Sequence, residues 1–185
     1  MSTLITLAVI AAVVLYAISI YNRLVKNRQM VEEGWSGIDV QLKRRTDLIP
    51  NLLESVKGYM SHERGLLEEI TALRSRAQAA SGGTPEERGP IEAALSGALG
   101  RLLAVAENYP DLKASQNFID FQNALEEIEE QIQLSRRYYN GATRNLNVLV
   151  ESFPSNFVAQ VFSFHKANYF ELDSEAERAV PKVQF

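Results

Sequence analysis

Few side chains in this sequence have much chemical reach. His62 and His165 are the only imidazoles, and cysteine is absent. Without cysteine there is no thiolate nucleophile, no thiolate metal ligand and no disulfide framework, which fits a reducing compartment. His62 lies in "SHERG", which lacks the second histidine four residues on that a helical zinc site requires. It reads as a solvated helix residue, and His165, behind an aromatic stretch, reads as packed or capping a helix end. Glu126, Glu127, Glu129 and Glu130 are the densest carboxylates. On a helix, Glu130 shares a face with Glu126 and with Glu127. A di-metal site in a helical bundle would also need Glu-x-x-His pairs, and none occurs, so the four read as a solvated acidic face. The glycines of "SGGT" follow no strand, and the phosphate-loop and nucleophile-elbow patterns are missing. No catalytic, cofactor-binding or metal residue is nominated, and the chain reads as a non-enzyme without cofactor.

Lys43, Arg44 and Arg45 form the one basic cluster, with Asp39 and Asp47 nearby. They would touch anionic lipid if their helix lay along a membrane, and otherwise make ordinary surface ion pairs. A formal charge of -4 argues against nucleic acid, because phosphate binding needs a net basic face.

The elements that would carry these residues begin with "STLITLAVIAAVVLYAISIY", residues 2–21, which holds no charged side chain. About 20 apolar residues in helical form cross a bilayer core of ~30 Å. A cleaved signal peptide would want a positive n-region and a shorter apolar core, so a retained anchor over residues 1–22 is expected. Arg23, Lys26 and Arg28 follow at once. The positive-inside rule then places the N-terminus outside and residues 23–185 in the cytoplasm. Tyr16 and Tyr21 fall near the cytoplasmic edge, where aromatic belts form.

Beyond the anchor the apolar pattern becomes periodic. Val31, Trp35, Ile38, Leu42, Arg45, Ile49, Leu52, Val56, Tyr59, Glu63, Leu66, Ile70 and Leu73 follow one another in alternating steps of four and three. This is the 3.5-residue seam of a bundle or coiled coil. It crosses Pro50, which predicts a bend in a continuing helix, and it predicts one helix from the anchor to about Arg76. Arg45 and Glu63 on the seam would snorkel or pair with a partner helix, and if buried would set register more than add stability. Trp35 reads as a packing anchor. A second stripe runs Ile91, Leu95, Ala98, Leu102, Val105, Tyr109. A third runs from Phe118 through Ile132 and Tyr139 to Phe153. Between them, Gln78–Pro90 reads as a loop ending in a capping box of Thr84 and Glu87, with Pro85 at the first helical position. Pro90 moves the expected helix start toward Gly89. Pro110 breaks the second helix, Ser115 is an N-cap for the third, and Pro154 ends it. Ser155–Lys166 reads as a short fourth helix with Phe157, Val161 and Phe164 on one face. The aromatic richness of Phe153–Phe170 suits either closure of the body or a surface between protomers. The tail "ERAVPKVQF" reads as extended. The expected fold is all-α, an N-terminal transmembrane helix followed by an elongated antiparallel four-helix bundle.

The stretches "VEEGWSGIDVQLKRRTDLIPNLLESVKGYMSHE", "AVAENYPDLKASQNFIDFQNALEEIEEQI", "RRYYNGATRNLNVLVESFPSNFVAQVFSF" and "PKVQF", with "YNRLV" before them, resemble the LemA family over nearly the whole of Tyr21–Phe185. The resemblance implies a bacterial protein of the cytoplasmic (inner) membrane with one N-terminal span and a cytoplasmic helical bundle. It also implies kinship with a magnetosome protein linked to membrane invagination, and gene neighbours that include membrane proteases. It supplies no catalytic residues. Gly34 stands where the family pattern leads one to expect alanine, which predicts a weaker, more flexible helix near the membrane. Together these readings give a non-enzymatic membrane-anchored scaffold that self-associates and organises or remodels the membrane. The alternative is a monomeric adaptor that docks a membrane enzyme such as a protease. The expected partners are the lipid bilayer, other copies of the chain and, in the adaptor reading, another membrane protein.

Overall fold

The computed structural model describes residues 1–60 and 62–171, so the tail expected to be extended, residues 177–185, lies outside the described residues. Among the described residues the structure is all-α, with six helices and no strand. They are α1 (Ser2–Lys57), α2 (Arg64–Ala79), α3 (Pro85–Ala106), α4 (Pro110–Lys113), α5 (Gln116–Glu151) and α6 (Ser155–Val161). The chain divides into two compact units. One comprises Met1–Ser36 with Ser135–Tyr169, and the other Gly37–Leu134 with the residues from Phe170 on. Helices α1 and α5 each contribute to both.

In the first unit, α1 carries the uncharged run. Its large side chains stand outside any packing: Leu4 is 71% exposed, Val9 57% and Val13 62%. From Ile20 the same helix begins to bury residues, with Leu24 at 0% and Val31 at 8%. Packing is close at Gly34, where an added Cβ would lie 3.0 Å from the Cα of Tyr139 on α5. The glycine expected to loosen the helix instead permits a near backbone-to-backbone approach. Trp35 packs its ring on Tyr139 at 5.5 Å, as a packing anchor should. After α6 the chain returns along α5. Buried Asn147 holds both the N–H and the C=O of Ala167 (2.8 and 2.9 Å), and the Tyr139 hydroxyl donates to the carbonyl of Asn168. His165, expected to be packed or to cap a helix end, is exposed here and lies outside the helices.

In the second unit the predicted seam is buried along α1. Ile38, Leu42, Ile49, Leu52 and Val56 are all at or below 1% exposure. Of these, Ile49, Leu52 and Val56 pack with Ile70, Leu73, Leu95, Leu99, Leu102 and Phe118 in one core. Each such side chain contributes roughly 1.5–3 kcal/mol relative to exposure. The seam's later members do not continue the same helix. Helix α1 stops at Lys57, Gly58 follows, and α2 begins at Arg64. Lys57 in the last turn and glycine just beyond it are ordinary stop signals. The even 4–3 spacing ran across the turn and masked them. Tyr59 is therefore exposed, Met60 is buried in its place, and His62 lies in the turn and not on a helix. Helix α3 starts at Pro85, earlier than Pro90 suggested. Both halves of its capping box form: the Thr84 hydroxyl accepts from the Glu87 N–H, and the Glu87 carboxylate accepts from the Thr84 N–H. Gly89 has no room for a Cβ, which would lie 2.9 Å from the carbonyl oxygen of Glu171.

Candidate functional site

Pro50 lies within α1. Having no N–H, it leaves the carbonyl of Thr46, four residues earlier, without its helical donor. Arg74 of α2 supplies one, its Nε donating to that oxygen at 2.9 Å. The proline thus creates the acceptor on which α2 docks. A buried carbonyl left unpaired would cost about 1–3 kcal/mol, so the contact offsets much of what the proline removes.

Immediately before Thr46, the seam carries its charge. Arg45 is fully buried, and so is Glu92 of α3, while Arg88 is 1% exposed. Arg45 Nη2 donates to Glu92 Oε2 at 2.6 Å and Nη1 to Glu129 Oε1 at 2.6 Å, with Ser96 Oγ also accepting from Nη1 at 2.6 Å. Arg88 Nη2 donates to the other oxygen of Glu92 at 2.9 Å, and its Nη1 pairs with Asp39. The order is Asp39–Arg88–Glu92–Arg45–Glu129, with both Glu92 oxygens shared between two guanidiniums. Asp39 and Glu129 side chains keep a third of their surface exposed, so the chain of charge runs from solvent through the interior and back out. Burying such charges is costly unless each is paired. Here geometry pairs the charges, although the Nε atoms of Arg45 and Arg88 have no partner. With every carboxylate engaged by a guanidinium, the cluster is suited to holding α1, α3 and α5 in register and ill-suited to proton transfer or metal ligation.

The spacing puts Arg45 on the seam, either snorkelling or paired, and puts Glu129 on a solvated face; the structure pairs Arg45 and corrects Glu129. The structure separates the acidic residues: Glu126, Glu127 and Glu130 are exposed, whereas Glu129 turns in to Arg45. Of the basic cluster, Lys43 and Arg44 are at the surface, with Arg44 reaching Glu127 at 4.0 Å, and only Arg45 is interior. Glu63 does find a partner. The half-buried Tyr109 hydroxyl donates to it at 2.6 Å, and this hydrogen bond to a carboxylate raises the Tyr109 pKa above its ordinary value. Arg88 and Glu92 were missed. The buried line on α3 is Arg88, Glu92, Leu95, Leu99, Leu102, Ala106, again in steps of four and three, but its first two members are charged and so were invisible to an apolar pattern. Among the described residues no group of three or more Asp, Glu or His is placed to hold a metal ion.

Two further features complete the surface. Helix α1 contains one stretch long and apolar enough to cross a membrane. A groove of about 660 Å³ opens between the end of α1 and α2, lined by Leu53, Met60, Leu67 and Ala72 together with Lys57, Arg64 and Glu68.

Residues 34–185 match the profile of the LemA family. Protein LemA of Metamycoplasma hominis is 29% identical over 159 residues, covering 85% of this chain and 71% of that protein. Magnetosome protein MamQ 2 of Paramagnetospirillum magneticum is 25% identical over 175 residues, covering 82% of this chain, and MamQ of Magnetospirillum gryphiswaldense is 22% identical over 174 residues, covering 81%. The alignments span 64% of each MamQ protein. With the match running from Gly34 through the end of the sequence, the chain belongs to the LemA family.

Proposed function

We propose that this protein is a non-enzymatic scaffold of the bacterial cytoplasmic membrane, held by a single span, that self-associates and organises or remodels the bilayer. The observation that carries it is the state of α1. Its first part exposes an uncharged apolar surface, and the same unbroken helix then packs Ile20, Leu24 and Val31 into the body. A polypeptide in lipid must satisfy its backbone internally, as this helix does. Cleavage of the run as a leader would cut the helix next to packed residues, which favours a retained anchor. The cations Arg23, Lys26 and Arg28 favour a body on the cytoplasmic side. The self-engaged charge cluster favours a structural over a catalytic body, and similarity to proteins named as magnetosome proteins supports an association with membranes. The test is the mass of the full-length protein in mild detergent, by light scattering after size separation, together with its effect on vesicle shape. Multiples of 20.7 kDa and altered vesicles are expected; a monomer that leaves vesicles unchanged would sink the proposal. Orientation is checked by a cysteine placed near the C-terminus of this cysteine-free chain, which a membrane-impermeant thiol reagent should fail to label in intact cells.

The groove beside α2 favours a second reading, an adaptor that docks a membrane enzyme such as a protease. Crosslinking from Thr71 in cells distinguishes the two. Capture of the chain's own copies alone argues against the adaptor, and recovery of a membrane protease argues for it.

A further inference from the structure

Helix α6 is oriented the wrong way round for water. It buries Ser155 and Ala159 and leaves Phe157 60% and Val161 75% exposed, four residues apart on one face. Phe153 (80%) and Phe162 (57%) flank it, equally uncovered. The Phe153 and Phe157 rings meet edge to face at 5.9 Å. The aromatic richness of Phe153–Phe170, expected either to close the body or to form a surface between protomers, is therefore divided: Phe164 and Phe170 pack inward, and Phe153, Phe157 and Phe162 face out. No charged side chain occurs from Ser152 to Phe164. The flanking charges, Glu151 and Lys166, neutralise one another at 2.7 Å.

The position of this patch identifies what covers it. Phe162 lies against Tyr21, ring centroids 4.8 Å apart. Tyr21 ends the apolar run, two residues before Arg23, the first charged side chain. Phe164 is fixed between Tyr21 at 5.8 Å and the Arg28 guanidinium at 5.2 Å. The patch is thus held at the level where α1 passes from lipid to water, beside the cations expected at lipid headgroups. Aromatic side chains prefer that layer, and an uncharged apolar helix face settles into it. We infer that the turn and short helix from Phe153 to Phe162 are a second membrane contact, an aromatic foot that enters the interfacial layer of the leaflet from which α1 emerges. The inference rests on α1 being a span. A lipid surface is favoured over a second copy because the patch is continuous, through Tyr21, with the segment that lipid already surrounds. The foot would fix the tilt of its unit on the bilayer, which a lone helix cannot do.

Spin labelling of the full chain, reconstituted in vesicles of phosphatidylethanolamine and phosphatidylglycerol, tests this directly. Single labels go at Val161→Cys, at Val13→Cys in the run and at Val40→Cys, an exposed site of the other unit. The expected result is a Val161 label relaxed by oxygen more than by a soluble nickel chelate, at a depth of about 5–10 Å, with Val13 deeper and Val40 in water. Phe157→Cys, one turn away, should repeat the Val161 result. A Val161 label as open to nickel as Val40, with Val13 in lipid, overturns the foot and leaves the anchor standing. Spin–spin broadening with protection from both reagents would assign the patch to a second copy and also overturn it. A Val13 label in water would remove the anchor and the foot together.

Discussion

Helix α1 departs from the usual inside–outside rule twice, in opposite senses. Between Leu4 and Ile18 it exposes large apolar side chains, and at Arg45 it buries a guanidinium completely. The two regions solve the same problem, matching a side chain to its surroundings, by different means. The first depends on a non-aqueous environment supplied from outside. The second builds its own polar environment, with Glu92, Glu129 and Ser96 taking the place of water. The difference teaches that hydropathy alone identifies neither surface nor interior: what decides is whether each group's partner belongs to the chain or to the medium.

The comparison breaks most sharply if charge is moved to where no partner exists. Val9→Arg with Val13→Arg should cost about 5–7 kcal/mol of insertion free energy, at roughly 2.5–3.5 kcal/mol for each charge near mid-bilayer. The protein should shift from the carbonate-washed membrane pellet to the supernatant. Removing one partner from the built environment is next. Arg45→Met should destabilise the fold by about 3–5 kcal/mol, read by urea unfolding, because Glu92 is left buried with one of its two cations. Replacing Arg45, Arg88 and Glu92 together by Met, Met and Leu should instead leave stability unchanged or raise it by about 1–4 kcal/mol, since Asp39 and Glu129 already reach solvent. If the triple variant were as unstable as the single one, the cluster would be contributing net stability and not only its own compensation.

A smaller effect belongs to the proline. Arg74→Ala should cost about 1–3 kcal/mol by leaving the Thr46 carbonyl unpaired. In a Pro50→Ala background, where residue 50 regains its N–H, the same substitution should cost much less, and a double-mutant cycle in urea measures the coupling. Additive costs would separate Arg74 from the proline. The smallest effect is at Tyr109, whose bond to Glu63 raises its pKa above 10.0. Since the protonated phenol is favoured in the folded state, its contribution is present below pH 10.0 and is lost as pH rises through the higher folded value. The difference in unfolding midpoint between the wild type and Tyr109→Phe should therefore shrink only in that alkaline window.

Period and composition made much of this legible. The uncharged run, the seam from Val31 to Val56 and the long α5 all follow from composition and spacing, and Arg45 is marked by interrupting a stripe. What could not be read was pairing at a distance. Glu92 and Glu129 are 47 and 84 residues from Arg45, and no local pattern links them. Arg88 and Glu92 occupy heptad positions, but a search for apolar residues passes over charges that are buried because they are paired. The turn after Lys57 is hidden for a related reason: Tyr59 and Glu63 keep the 4–3 spacing, so the seam reads as unbroken although the backbone reverses and Met60, not Tyr59, fills the core.

The first unit is assembled from two segments far apart in the chain, Met1–Ser36 and Ser135–Tyr169. Tyr21 and Trp35 find their ring partners in Phe162 and Tyr139. At a synthesis rate of about 5–20 residues per second, the roughly 100–140 residues that separate such partners take about 5–30 s to appear. The apolar run of α1 leaves the ribosome well before the segment that will cover Leu24 and Val31 exists. Anchoring therefore precedes closure in time, and the bilayer is the surface beside which this unit completes itself.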